Sequence, residues 1–246
     1  MSAPAATRPG LEAAPPVPRA RAGFVVQLRA LVWKEVLVET RARETVVAGA
    51  VFALLVLVIF NFAFDLRVED VAAVAPGVLW VTITFSGVLG LGRAFARERD
   101  RRTLEGLLLA PVDRSALYVA KMLANLLSMF VVEVIAVPAF IGLFNLRVDL
   151  PLLVLALALG TLGLAGVGTL FAAIAAHTRA REVLLPVLLF PIQVPVILAT
   201  VKSTAAAIRV PGVQPPEVGQ WLGLLVAFDA IFISLSIMLF EYAIEE

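Results

Sequence analysis

The sequence predicts an all-α polytopic membrane protein, with six transmembrane helices preceded by an N-terminal amphipathic helix, and three observations lead there. Of the 246 residues, 61% are hydrophobic and only 16% charged, with a mean hydropathy of +0.98. About half the residues of a soluble domain face water, and too few polar side chains are present to cover that surface. Six apolar stretches recur along the chain, each near the roughly 20 helical residues that cross a hydrocarbon core. Finally, lysines and arginines alternate between dense and sparse segments in step with those stretches. Membrane β-strands would alternate apolar and polar residues and be about half as long, which excludes a barrel.

Residues 1–23 read as a disordered tail, rich in Ala and Pro and without the apolar run of a signal peptide. In residues 24–45, Leu28, Val32 and Val36 recur every fourth position while Gln27, Lys34 and Arg41 recur every seventh, as in a helix lying in the cytoplasmic membrane interface. The transmembrane domain is placed at 46–240, with spans at 46–64, 71–92, 122–146, 150–176, 183–201 and 218–240. Of the 20 Lys and Arg residues, 16 fall on the side holding both termini and the 93–121 loop, and 4 on the other. By the positive-inside rule both termini and that loop are cytoplasmic.

Several chemistries are excluded early. The chain has no cysteine and a single histidine, His177, which leaves no thiolate or histidine-cluster metal site. None of the three lysines, Lys34, Lys121 and Lys202, follows a glycine, so there is no phosphate-binding loop and the chain is not expected to be an enzyme. His177 follows the fourth span, where a helix C-terminus favours it electrostatically; a heme-ligand role is the lesser reading. Met122, Met129 and Met238 read as packing residues.

The 93–121 loop is the longest connection between spans. Arg97, Glu98, Arg101 and neighbouring charges are followed by Leu104, Leu107 and Leu108, an apolar stripe beside Glu105 that ends at Pro111, and Asp113 stands ready to cap the next helix. Charge alone would serve as a topology signal; the stripe points instead to a docking surface for a cytoplasmic partner. Within the spans lie two acids, Glu133, twelfth of the 25 residues of span three, and Asp229, twelfth of the 23 of span six. A charged acid at mid-bilayer costs on the order of 3 kcal/mol, so both need hydrogen bonds, water or a proton. Asn125, Thr161, Thr169 and Gln193 are the candidate partners, and a hydrated seam and a packing hydrogen bond are both open readings. Small residues recur along span four at Thr161, Ala165, Thr169 and Ala173, with Gly168, Ala172 and Ala176 beside them, spacing that lets helices approach closely. Pro186, Pro191 and Pro195 in span five are expected to kink or open that helix.

Four runs of residues carry a resemblance. APGVLWV at 75–81, RAFARERD at 93–100, TLEGLLLAPVDRSALYVAK at 103–121 and LLPVLLFPIQVP at 184–195 resemble, in that order, runs of the heme exporter protein B family, CcmB, over about residues 33–240. The resemblance implies the permease half of an ABC exporter of the ABC-2 type, working as a homodimer with two copies of a separate, CcmA-like ATPase. Arg97, Glu98, Arg101, Leu104, Glu105, Leu107 and Leu108 would then dock the ATPase. It further implies CcmC-like and CcmD-like membrane subunits and a heme chaperone as partners, with no nucleic acid, and the inner membrane of a bacterium as the location. ATP would be used by the partner chain and heme would be the handled species, with no cofactor assigned to this chain. An ABC-2 type permease for another substrate, or a membrane scaffold without a transport cycle, are the alternatives.

The charge distribution makes a topological prediction: labels at residue 10 and in the 93–121 loop are cytoplasmic, and labels near Arg67, Arg147 and Gln214 are external. An external label at either of the first two positions contradicts the six-span arrangement.

Overall fold

In a computed structural model of the chain, the described residues are 23–41, 43–65, 71–94, 112–176, 178, 180–208 and 217–245. Among them run seven helices: α1 (Phe24–Arg41), α2 (Arg43–Asp65), α3 (Val71–Ala94), α4 (Arg114–Leu143), α5 (Leu150–Ala176), α6 (Arg181–Ala207) and α7 (Val218–Glu245). The last six contain the stretches long and apolar enough to cross a membrane. Val148 and Ile208 form an isolated antiparallel bridge.

Span boundaries differ from expectation at two places. The third expected span begins at Met122, whereas α4 begins eight residues earlier at Arg114. Asp113 caps it, its carboxylate accepting from Ser115 N–H at 2.9 Å, so the helix starts where its first orphan N–H groups are satisfied. At about 1.5 Å per residue, 30 residues reach ~45 Å, and α4 therefore projects beyond the hydrocarbon. It ends in a Schellman motif: Leu146 N–H bonds Ile141 O at 3.1 Å and Asn145 N–H bonds Gly142 O at 3.4 Å. Asn145 takes the left-handed conformation that this motif requires, with φ 49°. The fifth expected span ends at Val201, but α6 continues to Ala207, where Asp149 N–H bonds the Ala207 carbonyl at 2.8 Å. Pro186, Pro191 and Pro195 leave α6 a continuous helix.

α5 and α3 are the enclosed helices, and α2 and α7 are the most peripheral. α5 packs chiefly on α6 and α7, and also meets α4 and α3. Its buried face is made of small residues, among them Gly160, Thr161, Gly163, Ala165, Gly166 and Thr169. At Gly160 an added Cβ would strike the Trp80 ring of α3 and Thr200 of α6, so those helices approach only because the side chain is missing. Apolar packing divides into two clusters. One gathers Leu31, Leu91, Tyr118, Leu170, Leu189 and Phe240 around the start of α4. The other gathers Leu57, Leu79, Trp80, Phe140, Phe144 and Leu153 around its end. The outward faces of α2 and α7 carry Val51, Leu55, Phe62, Ile231 and Met238, side chains suited to lipid. Met238 thus faces outward and does not pack inside the chain, because its position on α7 points away from α5.

α1 lies along the first half of α4. Leu31 joins the apolar cluster there, and the Gln27 side-chain oxygen accepts from Asp113 N–H at 2.9 Å. Glu35 meets Lys121 of α4 at 3.4 Å and Lys34 at 2.9 Å. Lys121, one residue ahead of the expected third span, is 3% exposed within α4, because α1 covers it. Arg114 of α4 pairs with Glu241 of α7 at 3.4 Å, so α1, the start of α4 and the end of α7 share one end of the bundle.

Removing one partner of a buried ion pair leaves the other charge desolvated and costs several kcal/mol, whereas an apolar replacement of both is often neutral. Glu35→Ala is therefore expected to destabilise the α1 and α4 contact by on the order of 3 kcal/mol, and the double variant Glu35→Leu with Lys121→Leu to recover most of it. Thermal unfolding in detergent and proteolytic release of α1 report both. Equal stability of Glu35→Ala and the parent would show that the pair contributes nothing.

A candidate functional site inside the bundle

The polar side chains of the spans gather around the middle of α5, between the two apolar clusters. Glu133 lies about 28 Å along α4 from Arg114 and about 15 Å from its end, at ~1.5 Å per residue. It is buried, and its Oε1 accepts from the Thr161 hydroxyl of α5. About two turns nearer the start of α4, Asn125 donates to Thr169 Oγ1 at 2.9 Å, and Thr169 donates to its own helix at Ala165 O at 2.6 Å. Tyr118, nearer still, donates to the Gly166 carbonyl at 2.9 Å. Three side chains of α4 are thus tied to one face of α5.

From the opposite side come α6 and α7. Gln193 donates to the Gly163 carbonyl at 3.1 Å, and Asp229 lies over the same glycine, where an added Cβ would sit 2.6 Å from its Oδ1. Both Asp229 oxygens and the Gln193 Oε1 are buried and have no hydrogen-bond partner among the described residues. Three acceptor oxygens without a donor converge on Gly163. An uncompensated charge there is disfavoured in hydrocarbon, so the arrangement is suited to a proton or a water and unsuited to an anion. Trp80 of α3 donates to Thr204 Oγ1 of α6 at 2.8 Å, closing the ring of contacts toward the far end.

All four candidate partner residues fall within this network, but only Thr161 reaches an acid. Thr161 reaches Glu133, Asn125 and Thr169 find each other, and Gln193 binds backbone. Gln193 lies beside Asp229 and not Glu133, because α6 and α7 share the far side of α5. The proposed docking residues Arg97, Glu98, Arg101, Leu104, Glu105, Leu107 and Leu108, and His177, lie outside the described residues. Among the described residues no three His, Cys, Asp or Glu side chains gather as metal ligands would. The Glu35 and Lys121 pair was missed by the sequence reading. A signal existed: Glu35 follows Leu28 and Leu31 on one helical face, and a charge in an apolar stripe asks for a partner.

Such a bundle, with six crossing helices and a polar centre held by side chains from α3, α4, α6 and α7, defines a multi-pass α-helical membrane protein. The chain belongs to the CcmB protein family, whose model matches residues 26–246. Heme exporter protein B of Rhodobacter capsulatus is 31% identical over 172 residues, which are 70% of this chain and 79% of that relative. The protein of the same name from Paracoccus denitrificans is 30% identical with the same coverage, and that of Pseudomonas aeruginosa 28% identical over 72% of this chain and 79% of its own.

The Thr161 bond makes a prediction. Glu133→Leu leaves a fully buried hydroxyl without its acceptor, a loss of about 1–3 kcal/mol, whereas Glu133→Gln retains an acceptor and is expected to cost under about 1 kcal/mol. Thermal unfolding of the purified chain separates the two. Leu and Gln variants of equal stability would remove Thr161 from any supporting role.

Proposed function

We propose that the chain is the transmembrane permease subunit of an ATP-driven complex that handles or exports heme for cytochrome c maturation. The observation that carries this reading is the family match over residues 26–246 together with relatives named heme exporter protein B. In this reading the chain hydrolyses nothing itself. A separate ATPase docks on the 93–121 loop through Leu104, Leu107 and Leu108, with Arg97, Glu98, Arg101 and Glu105 at the rim. Two copies of the chain and two of the ATPase form the working unit, beside CcmC-like and CcmD-like subunits and a heme chaperone. It resides in the bacterial inner membrane with both termini in the cytoplasm, which the 16 to 4 distribution of Lys and Arg supports.

The described contacts suggest how the loop would be heard in the membrane. The loop ends at the Asp113 cap, which Gln27 of α1 also grips, and from there α4 runs unbroken to Glu133. A displacement of the loop is carried along a rigid helix to the polar centre.

Deletion of the chain is expected to abolish covalent attachment of heme to c-type cytochromes while b-type cytochromes persist, as heme-stained gels and difference spectra report. Leu107→Asp is expected to insert normally, lose ATPase co-purification and fail to restore c-type cytochromes. Normal cytochrome c in the deletion strain would refute the reading; an intact, active complex with Leu107→Asp would refute the docking role alone.

A further inference from the structure

A cavity of about 40 Å³ lies between α2, α3 and α4, and its wall contains Glu39, Thr45, Ser86, Asn125, Ser128 and Glu133. Glu39 and Thr45 belong to the junction of α1 and α2, which lies level with Leu127 and Ser128 of α4; Glu133 lies about a turn and a half further along that helix. The cavity therefore runs from that junction to a buried acid. Its volume suits about three waters, at roughly 10–15 Å³ for each, and a buried water needs two to four polar partners. The hydroxyls, the Asn125 amide and the carboxylates supply them. Ser86 donates to Gly49 O at 3.1 Å and Ser128 to Ala124 O at 3.0 Å, which leaves the lone pairs of both hydroxyls to accept from water.

Beyond Glu133 the surroundings change. Ala136 and Phe140 on the next turns of α4, with Leu57 of α2 and Trp80 of α3, are buried in the apolar cluster of the far half. Thr161 holds Glu133 from the α5 side. Among the described lining residues Glu39 and Glu133 are the ionisable ones, and α2 and α3 present hydroxyls, glycines and apolar groups there.

We propose that this cavity is a water-filled proton route, open at the α1 and α2 junction and closed beyond Glu133, and that Glu133 is a proton-exchange site reached from that face alone. The step is a plain proton transfer. A hydronium in the water chain gives its proton to a Glu133 carboxylate oxygen, leaving water and a neutral acid, and release reverses it without change of oxidation state. Whatever the permease moves, protonation there sets whether Glu133 adds charge to the polar centre of the bundle.

The chain has no cysteine, so single cysteines report without background. The complex is tested in oriented membrane vesicles with a charged, membrane-impermeant thiosulfonate reagent. Ser86→Cys is expected to react from the α1 face at least about tenfold faster than Leu89→Cys, because the reactive thiolate forms only in water. Leu89 lies nearer the α1 end of the same helix but faces outward, so depth alone would favour the opposite order. Equal rates, or faster labelling from the other face, would overturn the proposal.

Infrared spectroscopy of the same preparation reads the acid itself. A carboxylic-acid band lost in Glu133→Gln is expected to shift promptly on transfer to deuterated buffer. Gly90 lines the cavity, and a Cβ added there meets nothing within 4 Å, so Gly90→Leu should obstruct the passage and slow that shift at least about tenfold. A Glu133 that only packs would show no such band, or a band whose exchange Gly90→Leu leaves unchanged. Either result sinks the route.

Discussion

The close approach of four helices to the backbone of α5 is the constraint on which the rest of the bundle depends. In lipid there is no hydrophobic force pulling one apolar helix onto another, so association rests on tight packing and on hydrogen bonds. α5 provides for both with the same residues. The bare Cα of Gly160 admits the Trp80 ring, and that of Gly163 admits Asp229. The carbonyls of Gly163 and Gly166 take Gln193 and Tyr118, while the hydroxyls of Thr161 and Thr169 meet Glu133 and Asn125. Bulk at these positions would push α3, α4, α6 or α7 outward and break the hydrogen bond that each makes nearby.

A consequence of this packing is the distribution of polarity along the bundle. On α3 and α4 the two apolar clusters occupy opposite halves, and Glu133 falls near the boundary between them. Glu133 and Asp229 lie on opposite sides of α5 and are served differently. Glu133 has a hydroxyl donor and a cavity with polar groups in its wall, whereas Asp229 shares an unpaired corner with Gln193 Oε1. Two acids at similar depth therefore have distinct surroundings, and distinct chemistry follows from that difference.

α4 connects these interior features to the end of the bundle. It begins at a cap shared with α1, buries Lys121 against Glu35 within its first three turns, and then presents Asn125 and Glu133 to α5 on one continuous helix. No proline interrupts it between Arg114 and Glu133, so its start and the acid move together.

Six crossings, their order, the distribution of charge and the depth of the two acids were legible in the sequence, because each depends on local composition or on spacing along a single helix. Hydrophobic length sets a span wherever its neighbours lie, and Asp113 caps α4 through a contact two residues away. Partners were legible only as types: an acid in hydrocarbon demands a donor, and Thr161 and Asn125 were among the few available. Which of them met Glu133, that Gln193 would lie with Asp229, and that Lys121 would be covered by α1 were decided by the tertiary structure. Those pairings join positions 28 to 86 residues apart, and nothing in a helical period specifies how one helix is rotated toward another. The rotation is chosen by where glycines on α5 leave room.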